Sequence, residues 1–350
     1  MGWETKNADA LLLTSSQATG VGPLLSPIIS GYISPQMGWR WTFWIGLIIA
    51  GASWPAMLFL PETYGPTLLS RRAAVLRKST KDPMIFAPLE LEKKNFKHIA
   101  TVVLTRPIRM ICFELIVSST CAYLALAYAI FYMYFTAYPI VFQGIYGMSP
   151  GMSGLMFLPI AVGQFTGMIV FMAWDSYLAR AKARGAAWAN AEEVRRLPLA
   201  CIGGPLYTLA IFWLGWSARE NVHWIVPALS GVSSGIGFVL IYMALLNYLT
   251  DAYEIFAASA MAAASCCRSI AGTVLPLAAG PMYQRLGVPG ASSLLGGLSL
   301  AMCVVPFLLL KWGDVIRSKS RFCLYLKEMK DREEEERRAD EAIGNDDDKV

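Results

Sequence analysis

The sequence predicts an all-α membrane protein with about eight transmembrane helices, and three observations carry that prediction. Of its 350 residues, 55% are hydrophobic and 16% charged, against about a quarter charged in an ordinary soluble chain. Eight stretches are long and apolar enough to cross a hydrocarbon core, which takes roughly 20 helical residues. The basic residues, finally, crowd into alternate connections between those stretches. Open strands would leave backbone groups unpaired in hydrocarbon, so the spans are helices.

The spans fall at 10–34, 41–60, 111–134, 153–174, 198–216, 225–249, 257–279 and 291–310. The first is the least apolar, with Thr14, Ser15, Ser16, Gln17 and two prolines inside it. Lysine and arginine then set the orientation. The arm before the first span, with segments 61–109, 175–197 and 311–350, holds 26 of them, whereas the alternate connections hold three: Arg40, Arg219 and Arg285. That split places both termini and the 61–109 loop in the cytoplasm. Within the loop, Arg71–Lys78 is basic and amphipathic, a pattern suited to a membrane surface. Beyond Leu310 the chain turns strongly charged and reads as a solvated helix that frays. The organisation is therefore 1–60 with two spans, 61–110 as a loop, 111–310 with six spans, and a 311–350 tail.

Composition excludes several classes. Two histidines, and seven cysteines without a CxxC pair, give no metal site; the cysteines read as small buried side chains. No Walker A, GxSxG or zinc signature is present, so no cofactor and no enzymatic activity are expected. The polar stretch Met1–Asp9 lacks the pattern of a cleavable signal. The net charge of +5 follows from topology and calls for no nucleic acid.

Charge inside a span costs about 2.5–3.5 kcal/mol on insertion scales, so each instance needs a reason. Two qualify. Arg268 lies eleven residues into its span, about 16 Å deep at 1.5 Å per residue. It reads either as a cavity-lining cation that binds an anionic group or as a clamp on neighbouring helix carbonyls, with Gln164 and Tyr123 at matching depth. Glu114 is shallow and close to Arg106 and Arg109, which suits either a proton-coupling carboxylate or an interfacial ion pair. Tyr123, Tyr128, Tyr132, Tyr242, Asn247 and Tyr248 recur on two spans, either as a cavity wall for stacking and cation–π contacts or as interfacial anchors. Gly163-x-x-x-Gly167, Gly231-x-x-x-Gly235 and the run Ala257–Ala264 are small-residue faces for close helix packing.

Local sequence supports a resemblance. Gly22-Pro23-Leu24-Leu25-Ser26-Pro27-Ile28-Ile29-Ser30-Gly31 resembles the antiporter motif on the fifth helix of proton-coupled exporters, with Ser26 and Ser30 where that pattern favours glycine. Gly38-Trp39-Arg40-Trp41 resembles the start of the sixth helix, and Pro61-Glu62-Thr63-Tyr64 the start of the central loop. Asp251-Ala252-Tyr253, Arg268-Ser269, Pro276-Leu277, Leu286-Gly287-Val288 and Ser292-Ser293-Leu294-Leu295-Gly296 continue the likeness. The chain thus resembles the major facilitator superfamily, and within it the fungal twelve-spanner drug:proton antiporters, including polyamine exporters. The resemblance implies a helical bundle of which this chain covers helices five to twelve. It implies a secondary transporter that exports a small organic solute (drug, polyamine or secondary metabolite) in exchange for protons, in a plasma or vacuolar membrane. It implies that Gly22, Pro23, Ser26, Pro27 and Gly31 bend a helix and seal two halves against each other. It implies too that Arg268, Gln164, Tyr123, Tyr128, Tyr242 and Asn247 face a central cavity, with Glu114 in gating or coupling. The rival expectation is a fragment or membrane scaffold that does not transport by itself, since nothing here matches the family's loop between helices two and three.

Overall fold

The computed structural model describes residues 20, 22–59, 62, 64–80, 84–87, 90, 105–186, 188, 192–318, 320, 322–326, 328–329 and 332. These fall into two compact units, one made of the residues up to Tyr32 with those from Pro107 on, the other running from Ile33 to Arg106. Described residues are mostly helical, with no strand among them.

In chain order the helices are α1 (22–37), α2 (Trp39–Leu58), α3 (Gly65–Thr80), α4 (Arg106–Phe113), α5 (Leu115–Tyr138), α6 (Pro150–Leu155), α7 (Leu158–Ala183), α8 (Glu192–Ser217), α9 (Ile225–Tyr253), α10 (Ala257–Met302) and α11 (Val304–Arg317). A π-helical turn, Pro139–Ile145, extends α5. Four apolar stretches qualify as membrane crossings: Leu115–Ile145, Pro150–Ala183, Glu193–Ser217 and Ile225–Arg317. The last has 93 residues, about 140 Å if straight, several times the bilayer core. Two backbone reversals fold it into three passes. One is Glu254 at φ 35°, past the end of α9; the other is Gly287 at φ 68°, inside α10. A positive φ is natural for glycine and rare for other residues. Six helical passes thus lie between Leu115 and Arg317; α7 continues nine residues beyond the expected end at 174, and α8 starts six before the expected 198.

Three differences carry information. The expected 111–134 span is interrupted at Glu114, whose extended backbone separates α4 from α5. The expected first span is described only from Gly20 on, and the tail beyond Arg332 lies outside the described residues. Cys112 and Cys266 are exposed, which corrects the reading of the cysteines as buried side chains. Lipid meets the outer face of a span, so an apolar run does not imply burial in protein.

Inside the first unit, α5 packs on α10, α7 on α9, and α8 on both α9 and α10. One continuous core runs through them, including Tyr123, Leu124, Tyr138, Tyr207, Ile241 and Tyr253. Hydroxyls within the spans bond back to their own helix, as Ser119 to the Leu115 carbonyl at 2.7 Å and Thr166 to the Val162 carbonyl at 2.8 Å. Water is absent from hydrocarbon, so that bond is the economical one. Tyr207 Oη instead crosses to the Ala127 carbonyl (3.0 Å) and pins α8 to α5. The small-residue faces work by backbone contact: a Cβ on Gly163 would lie 2.2 Å from the Val232 carbonyl oxygen, and one on Gly235 2.2 Å from that of Ile160.

The second unit holds α2, with Trp41, Phe43, Trp44, Leu47 and Trp54 all exposed, as a lipid-facing helix would have them. It also contains α3, the amphipathic stretch of the loop. Arg77 on α3 pairs with Glu90 and donates to the Ile85 carbonyl at 3.0 Å, while Ser70 Oγ donates to Glu90 at 2.9 Å. These bonds hold the carboxyl of Glu90 below its ordinary 4.5, the Arg77 hydrogen bond contributing most.

A polar and aromatic chamber as candidate functional site

Ring contacts of Tyr128 and Phe131 with Phe238 bring an aromatic face of α5 against one of α9. On α5, Tyr128, Phe131 and Tyr132 share a face at helical spacing; on α9, Phe238, Val239, Tyr242 and Met243 do the same. With Gln164 of α7, Gly20 and Pro23, they line one chamber. Counted out through its open mouth, with open solvent included, the empty space there amounts to about 500 Å³. Phe131 and Phe238 stack with centroids 4.6 Å apart and planes 18° apart, and Phe238 continues the stack to Tyr242 at 5.8 Å and 18°.

Arg268, on α10, reaches the rim of this group. Its guanidinium donates to Tyr242 Oη and, at 3.4 Å, to Ser265 Oγ, and sits 5.3 Å from the ring centroids of both Tyr128 and Tyr242. Its partners are therefore hydroxyls and ring faces, rather than Gln164 and Tyr123. Each cation–π contact is worth about 0.5–2 kcal/mol, which offsets part of the cost of placing a charge at this depth. No acidic side chain pairs with it among the described residues.

Gln164 is 1% exposed, and neither its amide oxygen nor its nitrogen has a hydrogen-bond partner among the described residues. A buried amide without partners costs about 1–3 kcal/mol per unsatisfied group, so the chamber holds an unanswered donor and acceptor. Gly20 allows the approach: a Cβ there would lie 2.9 Å from Gln164 Oε1.

Other candidates lie elsewhere. Tyr123 is buried toward α8 and the α10–α11 junction, its hydroxyl 3.7 Å from Cys303 Sγ. Asn247 is half-buried, farther along α9, outside the chamber lining. Glu114 is 5% exposed and accepts a hydrogen bond from Tyr253 Oη at 3.0 Å. Of the motif residues, Pro23 lines the chamber, while Gly31 abuts the Pro150 carbonyl at the start of α6 and Pro27 abuts Gly154 near its end. Gly22 and Ser26 are exposed.

Sequence reading missed one further group. Where the 175–197 connection meets the bundle, Arg196 is nearly buried and binds Asp175 of α7 and Asp251 of α9, each at 3.2 Å. Arg195 approaches Asp251 at 3.9 Å, and Arg317 of α11 pairs with Glu193 of α8. This clasp ties the ends of four helices. Its signal was charge at the margins of spans, which looks in sequence like ordinary flanking charge.

Fold and chamber together define a polytopic helical membrane protein with a polar pocket inside its bundle. Comparison with known proteins gives the family: residues 12–276 match the Major Facilitator Superfamily, and the chain belongs to it. Similar proteins include Efflux pump FUB11 of Gibberella fujikuroi, 40% identical over 310 residues covering 88% of this chain and 54% of that protein. The Citrinin biosynthesis cluster MFS transporter mrr1 of Monascus ruber is 40% identical over 311 residues, covering 88% and 62%. The Ascochitine biosynthesis cluster MFS transporter of Didymella fabae is 36% identical over 310 residues, covering 87% and 59%. The chain thus spans little more than half the length of these curated relatives. They are named as transporters and pumps, not enzymes.

Proposed function

We propose that this chain supplies the second half of a secondary transporter that exports a small organic solute, a secondary metabolite rather than a polyamine. In this reading 111–310 is the C-terminal six-helix half, 1–60 contributes the last two helices of the first half, 61–110 is the central cytoplasmic loop and 311–350 a cytoplasmic tail. Both termini face the cytoplasm, in a plasma or vacuolar membrane, and protons drive exchange. The observation that carries the reading is the chamber: a buried amide and an arginine that have, among the described residues, no hydrogen-bond partner and no carboxylate respectively, set among stacked aromatics in an apolar bundle. Two relatives named for metabolite biosynthesis clusters support the solute class. Alternating access would come from rocking of two halves about a midplane site, with Gly31 and Pro27 on the packing face of α1 and the Arg196 clasp holding the ends of its own half together.

A second reading has its own support in the 54–62% coverage of the relatives: the 350-residue segment by itself is transport-incompetent. One experiment addresses both. The segment, and the segment joined to the upstream part of a relative, are expressed in yeast lacking its main exporters, and efflux of a fluorescent aromatic acid is followed with and without a protonophore. The joined form is expected to export in a protonophore-sensitive way and the segment alone not at all. Efflux by neither would overturn the transporter reading; equal efflux by both would overturn the second.

A further inference from the structure

We infer that the chamber selects flat, conjugated organic anions, with the acidic group held by Arg268 and the ring system against Tyr128, Tyr132 and Tyr242. The inference rests on the transporter reading and names its substrate class. Three observations converge on it. First, the guanidinium of Arg268 has five donors, yet its hydrogen-bond partners are the neutral hydroxyls of Tyr242 and Ser265. Among the described residues, the chamber lining contains no aspartate or glutamate. A positive group in such a site has no counter-charge, whereas a carboxylate gains a charge-assisted, geometrically matched partner. Secondly, the half-buried rings of Tyr128, Tyr132 and Tyr242, backed by the mutually stacked Phe131 and Phe238, line the chamber and suit a flat ring in offset or edge contact. Thirdly, Gln164 presents both a donor and an acceptor without partners among the described residues, which fits a phenol, carbonyl or amide on the body of the guest. Cationic substrates would sit close to Arg268 in a low dielectric and be repelled.

Binding to the full 350-residue chain in lipid nanodiscs tests this without requiring transport. The probes are 6-hydroxy-2-naphthoate, the corresponding amide and the corresponding aminomethyl cation, read by naphthalene fluorescence. The naphthoate is expected to bind about tenfold or more tighter than the amide, the margin of one charge-assisted hydrogen bond, with the cation weakest. Arg268→Met should erase that ranking and Arg268→Lys should keep part of it. Gln164→Leu should weaken all three probes while preserving their order. The ranking on the unaltered chain needs no variant, so a variant that fails to fold does not spoil the test. If the three probes bind equally and Gln164→Leu still weakens them, the anion selectivity is wrong and the chamber remains a ligand site. If no probe binds, or binding ignores both Gln164→Leu and Tyr128→Ala, the chamber is not a ligand site and the transporter reading built on it falls too.

Discussion

The contact between α7 and α9 offers a quantitative test, because the wall that carries Gln164 depends on it. Adding one methyl at Gly163 puts a carbon 2.2 Å from the Val232 carbonyl oxygen, and at Gly235 it puts one 2.2 Å from the Ile160 carbonyl oxygen and 2.7 Å from the backbone nitrogen of Gln164. Ordinary contact begins at 3.4 Å, so either helix must retreat by about 1.2 Å against a rigid backbone rather than a mobile side-chain tip. Overpacking costs about 1–3 kcal/mol, and the backbone partner places these sites at the upper end. At roughly 2–4 °C per kcal/mol for a unit of this size, Gly163→Ala and Gly235→Ala should each lower the unfolding temperature by about 6 °C or more. The two glycines share one interface, so the double variant should lose less than the sum. In a version whose other five cysteines are replaced, a thiol-reactive dye gives the readout, since Cys121 and Cys303 are buried and label only on unfolding. Gly297→Ala, with nothing within 4 Å of its Cβ, is the control and should be neutral or slightly stabilising, as alanine favours helix. Unfolding temperatures for Gly163→Ala and Gly235→Ala indistinguishable from the control would refute the close-contact argument.

Further expectations concern the charged margins. Arg196→Ala leaves Asp175 and Asp251 without their shared cation; discounting a buried-pair loss of about 3–5 kcal/mol for their partial exposure leaves about 1–3 kcal/mol. Dye-monitored unfolding should rank the damage Arg196→Ala above Asp251→Asn above Asp175→Asn, and equal effects would contradict the geometry. For Glu90, the carboxyl titrates below its ordinary value, so its bonds to Arg77 and Ser70 stabilise α3 above that value and are lost as pH falls through the lowered one. Amide exchange in α3 should accelerate on acidification, and Glu90→Gln should remove that dependence. Single cysteines at Gln143 or Asn221 in an otherwise cysteine-free version should react with impermeant reagent outside intact cells, and one at Ser79 should not; labelling at Ser79 would reverse the orientation.

Much of the fold was legible because hydrocarbon imposes a length and forbids unpaired backbone. Six crossings between 111 and 310 could be read from apolar runs alone, and the chain reversal at Gly287 sat beside Leu286 and Val288 in a stretch already marked by its resemblance. The break at Glu114 was not legible, since an isolated extended residue leaves no trace in hydropathy. Arg268, Gln164, Tyr128 and Tyr242 stood out because polarity inside a span is costly. Phe131 and Phe238 did not, because an aromatic facing a chamber and one facing lipid have the same composition. Tyr123 failed as a partner of Arg268 for a geometric reason: equal depth along two helices says nothing about which way each face turns. The Arg196 clasp escaped because pairing between helix ends is set by tertiary packing.

The most direct measurement is efflux per molecule by the joined, full-length form carrying Arg268→Met, with Arg268→Lys beside it and abundance read from a C-terminal fluorescent tag. If the chamber is the transport site, Arg268→Met accumulates normally and loses efflux of the aromatic acid by about tenfold or more, while Arg268→Lys keeps a measurable part. Undiminished efflux by Arg268→Met at normal abundance would contradict the account.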